Sequence, residues 1–138
     1  MTKEFIPYEI ALELKELGFD EPCFGYYTED KVWRPASYSY ERTEYPWNSV
    51  WLYTTAPLYQ QAFRWFIDKH ELEAVTEQSN DYTWYNFTIY KKSNFYTSEG
   101  WKTLVSAGFE YKTYEEAKLE CLKQLIKIVN NYDRRKSF

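Results

Sequence analysis

Apolar residues return at intervals of three and four in three places along the chain and alternate with polar ones in several others. Ile10, Ala11, Leu14 and Leu17 share one face of a helix predicted from Pro7 to Leu17, with Glu9, Glu13, Lys15 and Glu16 toward water. Pro7 suits the first helical position and Gly18 the left-handed residue that ends the helix. Phe19 is then expected to fold back onto it. A second helix is predicted from about Pro57 to His70, with Thr55 as its cap and Tyr59, Ala62, Phe63 and Phe66 as its stripe. Trp65 lies off that stripe and is expected to cover a neighbouring loop. The third helix opens on Thr113-Tyr-Glu-Glu116, a capping-box pattern. Ala117, Cys121, Leu122, Leu125, Ile128, Val129 and Tyr132 follow at helical spacing.

Between the helices the period falls to two. Residues 23–28 and 32–34 read as a hairpin around Glu29-Asp30-Lys31, closed by Pro35, which cannot donate to a ladder. Further strands are expected near Val50 to Thr54, Leu72 to Thr76 and Trp101 to Val105. The clearest runs from Thr83 to Tyr90, with Tyr85, Phe87 and Ile89 on one face and Trp84, Asn86, Thr88 and Tyr90 on the other. These elements predict an α+β class: a small antiparallel sheet packed by three helices, in a single domain over residues 1–138, with residues 130–138 a flexible basic tail.

Composition changes this picture at one point. The 138 residues include fifteen Tyr, nine Phe and six Trp. Their densest cluster, Tyr38 to Tyr53, has no clear helical period. So many rings exceed what a core of this size takes up, and a patch of rings at a surface marks contact with something. Tyr38, Tyr40, Arg42, Tyr45, Trp47, Trp51 and Tyr53 are therefore the candidate partner-binding residues, with Trp84 and Tyr90 as neighbours. Trp, Tyr and Arg together have the composition of a protein-binding hot spot. The competing reading packs the same rings beneath the loop as a second hydrophobic cluster.

Charge and chemistry narrow the alternatives. The formal net charge of −4 argues against nonspecific nucleic-acid binding, although rings beside Arg34 and Arg42 suit stacking on single-stranded RNA. An aromatic-cleft carbohydrate module, or a small glycosidase, would need two facing carboxylates; Glu41, Glu44, Glu71, Glu73 and Glu77 are the pool. The single histidine, His70, reads as a helix-terminal or surface residue. Three widely separated Cys and His residues predict no metal, and four scattered glycines predict no phosphate loop and no cofactor. Cys23 and Cys121, each in an apolar stretch, are expected as reduced, buried thiols. Neither a signal-peptide pattern at Thr2 to Pro7 nor a run of membrane-spanning length is seen, so a cytosolic setting is expected.

Three blocks together resemble a known family: Ile6 to Tyr27, Ala56 to Phe66 and Lys112 to Ile126. They are similar to a family of small uncharacterised proteins of Bacteroidetes phages and prophages. Capping and core packing account for the blocks, so the resemblance carries no active site with it. What it implies is a setting in the host bacterial cytosol and an anti-defence role of the anti-CRISPR type. The partner would be a host protein or ribonucleoprotein such as a CRISPR effector, with RNA contact left open. The expected function is thus non-enzymatic binding.

Overall fold

The computed structural model describes residues 4–35, 53–92, 101–108 and 110–136, the side chains of 101, 102 and 133–136 excepted. The fold is α+β: among the described residues there are three helices and two three-stranded antiparallel sheets. In chain order the elements are α1 (Tyr8–Glu16), β1 (Gly25–Tyr27), β2 (Trp33–Pro35), β3 (Thr54–Ala56), α2 (Tyr59–His70), β4 (Leu72–Gln78), β5 (Tyr85–Lys92), β6 (Trp101–Ser106) and α3 (Tyr114–Lys136). The chain forms two compact units, Met1–Ala62 and Phe63–Phe138, with the boundary inside α2.

In the first unit α1 packs on β3, and β1 lies between β2 and β3. Pro7 sits at the cap of α1 with extended backbone, and its carbonyl accepts from the Ile10 and Ala11 amides. Ile10, Ala11 and Leu14 are the buried stripe. The helix ends in a Schellman motif. Phe19 N–H donates to the Leu14 carbonyl (3.0 Å) and Gly18 N–H to the Lys15 carbonyl (3.0 Å), with Gly18 at φ 100°. Phe19 folds back as expected and is buried. The expected cap residue Thr55 instead lies inside β3, fully buried and paired with Tyr26. A third strand beside β1 requires that placement, since Gly25, Tyr26 and Tyr27 pair with Ala56, Thr55 and Thr54.

In the second unit β4, β5 and β6 form a meander, and α3 packs on β5 and β4. Phe87 and Ile89 of β5 are buried, as are Ala117, Cys121, Leu122, Leu125 and Val129 of α3. Asn86 and Thr88 are buried as well, so the centre of β5 is covered on both faces. The Asn86 Oδ1 acceptor meets no partner among the described residues, a cost of about 1–3 kcal/mol. Trp65 is 3 % exposed rather than set over a loop. It meets Phe66 edge-on at 5.1 Å and His70 at 5.0 Å. Trp65 stands three residues after buried Ala62 and so shares its side of α2, where the large area of an indole favours burial.

Two local devices set the ends of these elements. Thr113 Oγ1 accepts from the Glu116 amide (3.1 Å), while the Glu116 carboxylate accepts from the Lys112 amide (3.3 Å), one residue before the expected donor. The β4–β5 hairpin turns through Ser79 to Trp84. Ser79 Oγ donates to Asp81 Oδ1 at 2.6 Å and the Thr83 amide to the same oxygen at 3.2 Å, which holds the Asp81 carboxyl below its ordinary value. Helix α3 continues through Lys136, so residues 130–136, expected as a tail, are helical in backbone. Asp81 loses its charge only as pH falls below the ordinary carboxylate range. The turn's contribution is therefore complete above that range and lost beneath it.

Both cysteines are free and buried. The Cys23 thiol donates to the Glu21 carbonyl (3.4 Å). Burial raises both thiols, Cys121 to about 12. Neither thiol is therefore expected to react with an aromatic disulfide reagent at pH 8 in the native state, and both are expected to react in denaturant. Rapid labelling of either one before unfolding would contradict this packing. Thr113→Ala removes a cap oxygen and is expected to destabilise the protein by about 1 kcal/mol in urea unfolding. Thr113→Ser is expected to retain most of that stability.

Candidate functional site

The first unit carries an array of rings on three very short strands. Strand residues alternate between faces, so Tyr27 and Gly25 point one way and Tyr26 the other. Tyr27 pairs with Trp33 across the hairpin, and the Trp33 indole lies over Gly25. Phe5 packs on Trp33 with ring centres 4.9 Å apart, and Tyr8 meets Tyr27 edge-on at 5.6 Å. Tyr27 Oη donates to the Ile6 carbonyl (2.6 Å), tying the start of the chain to the sheet. Burial and the nearby Glu9 raise the Tyr27 phenol, so it stays a neutral donor. On the other parity Tyr26 packs on Tyr53 at 5.0 Å. The Lys15 ammonium donates to the Tyr53 carbonyl (2.7 Å), and burial lowers its pKa.

These rings are covered only in part. Phe5, Tyr8, Tyr26, Tyr27, Trp33 and Tyr53 are all half-buried, while Phe24 is 62 % and Val32 44 % exposed. Lys31 stands 5.4 Å over the Tyr8 ring, in a turn it closes at φ 66°. The Trp33 Nε1 donor is enclosed and meets no acceptor among the described residues. The array therefore combines wide apolar area with ring edges and one buried donor that has no partner among the described residues. That chemistry suits docking of a macromolecule.

The nominated residues fall into three groups. Tyr38, Tyr40, Arg42, Tyr45, Trp47 and Trp51 lie outside the described residues. Tyr53 joins the ring array. Trp84 and Tyr90 are half-buried in the second unit, Trp84 at the hairpin and Tyr90 in β5 opposite Glu73 and Thr103. Of the carboxylate pool, Glu41 and Glu44 lie outside the described residues; Glu71 and Glu77 are exposed and Glu73 half-buried. Among the described residues no group of three or more His, Cys, Asp and Glu could hold a metal ion, and no helix is long and apolar enough to cross a membrane.

Sequence reasoning missed Phe5, Tyr8, Tyr26, Phe24 and Trp33 as site candidates. One signal was available: Gly25 stands two residues from Tyr27 in an otherwise aromatic strand, and a glycine there marks a close approach. It also missed Tyr82, at φ 61° and 78 % exposed in the β4–β5 turn. Comparison with protein-family models, with curated proteins and with solved structures yields no match to this chain.

A Cβ at Gly25 would lie 2.6 Å from Trp33 Cε2, 2.8 Å from Cζ2 and closer still to Nε1. Gly25→Ala is therefore expected to displace the indole and cost about 1–3 kcal/mol, with a changed tryptophan emission spectrum. A mutant of native stability and spectrum would show that the indole does not lie on this strand.

Proposed function

We propose that this is a non-enzymatic, phage-encoded binding protein that docks an aromatic surface onto a bacterial effector. A CRISPR effector protein or ribonucleoprotein is the partner class proposed first, and the host cytosol the compartment. One observation carries the reading. Half-exposed rings on β1, β2 and the residue before β3 stand at both ends of the ring-rich segment 36–52. Rings of the fold and rings of that segment thus belong to one stretch of chain, entered through Pro35 and left through Tyr53.

The energetic logic is that of a hot spot. Tyr and Trp give large contact area with few rotatable bonds, and Arg34 and Arg42 add charge within the same stretch of sequence. Anchors of this kind dominate affinity, whereas surface charges tune the rate and the salt response. Docking through rings should therefore be less salt-sensitive than binding through phosphates.

The test is capture of partners by the tagged protein from a Bacteroidetes lysate, with and without nuclease, followed by affinity measurement on the captured species. A defence effector is expected, with Phe24→Ala and Trp47→Ala each weakening binding by about 2 kcal/mol in folded protein. Unchanged affinity in both variants would remove the ring surface from the interface. Binding that disappears with nuclease and falls steeply with salt would replace protein docking by RNA binding.

A further inference from the structure

A cleft of about 310 Å³ opens within the second unit, where the end of α2, the end of β5 and the last turns of α3 meet. We propose that it binds a small organic carboxylate, a role independent of the ring surface of the first unit. Leu72 and Val129 lie at its base and are almost wholly buried, so its accessible lining is mainly polar. The wall holds Lys91 and Tyr132. The Lys91 ammonium lies 3.3 Å from Tyr132 Oη and 4.3 Å over the centre of its ring.

The charge balance selects the ligand. Lys91 is half-buried, and among the described residues no carboxylate stands within ion-pair distance of it. An ammonium has three donors, and the hydroxyl of Tyr132 accepts one of them. Of the two carboxylates at the rim, Asp68 is engaged by Arg64 at 3.3 Å and Glu71 is exposed. Lys69 adds a further cation at the edge. A carboxylate would accept from Lys91 and from the Tyr132 hydroxyl, while a compact body lay against the half-buried Tyr132 side chain. The volume falls at the lower end of ligand pockets, which sets one ring or a short chain as the limit.

His70 also lines the cleft and is the protein's single histidine, so its ring proton is a unique reporter. The full chain is titrated with benzoate at constant ionic strength while the His70 resonance is followed by NMR. Benzylamine and inorganic phosphate serve as separate probes. Benzoate is expected to move the resonance saturably, with weak, roughly millimolar affinity. Lys91→Met is expected to abolish the movement and Tyr132→Phe to weaken binding several-fold, with both variants retaining the native circular dichroism spectrum. Phosphate and benzylamine are expected to give no saturable shift. A linear response to benzoate, an equal response in Lys91→Met, or an equal response to phosphate would overturn the proposal. If Lys91→Met does not fold, Lys91→Gln and the Tyr132→Phe titration carry the same decision.

Discussion

The Trp33 indole resting on Gly25 is the contact from which the first unit takes its form. A strand of three residues offers few ladder hydrogen bonds, so side-chain packing must hold it. Gly25 pairs with Pro35 on one side and with Ala56 on the other, and only a residue without Cβ leaves room there for an indole. Once Trp33 is seated, Phe5 packs against it and Tyr27 opposite it, and Tyr27 ties back to Ile6. Each ring pair adds about 0.5–1.5 kcal/mol beyond its buried area. The arrangement has one visible cost in the enclosed Nε1 donor, which no described residue satisfies.

The second unit follows a different logic. Its strands are longer, its helix covers them with aliphatic residues, and ring pairs occur both in its core, as at Trp65 with Phe66, and beside it, as at Tyr85 with Tyr114. The hairpin turn is held by Ser79 and Asp81 through side-chain bonds to the backbone, which leaves Tyr82 held outward at positive φ. Bulky residues seldom adopt that conformation. Here the hydrogen bonds on either side of it determine the turn.

Much of this was legible in the amino-acid order. Gly18 and Phe19 announce the end of α1, Thr113 and Glu116 the start of α3, and the alternation from Tyr85 to Ile89 marks β5. These signals are local, acting within one turn or one strand. What stayed hidden depends on pairing between distant segments. Thr55 looks like a helix cap until β1 is known to need a neighbour; of the strand expected at Val50 to Thr54, residues 50–52 lie outside the described residues, and the described strand is Thr54–Ala56. Trp65 looks peripheral because a stripe drawn from spacing alone assumes one buried face. In place of the single expected sheet the described residues form two, since β3 pairs with β1 and β4 with β5. For the site, ring density marks the segment, whereas the rings of α1 and β1 fall in the block Ile6 to Tyr27, which capping and core packing account for.

The functional account depends on those rings being presented to solvent. Hydroxyl-radical footprinting of the free protein, read residue by residue by mass spectrometry, measures this directly. The account predicts strong labelling of Phe24, Trp47 and Trp51, intermediate labelling of Tyr26 and Tyr53, and protection of Phe19 and Phe66. Trp47 and Trp51 as protected as Phe19, with Phe24 unlabelled, would contradict it.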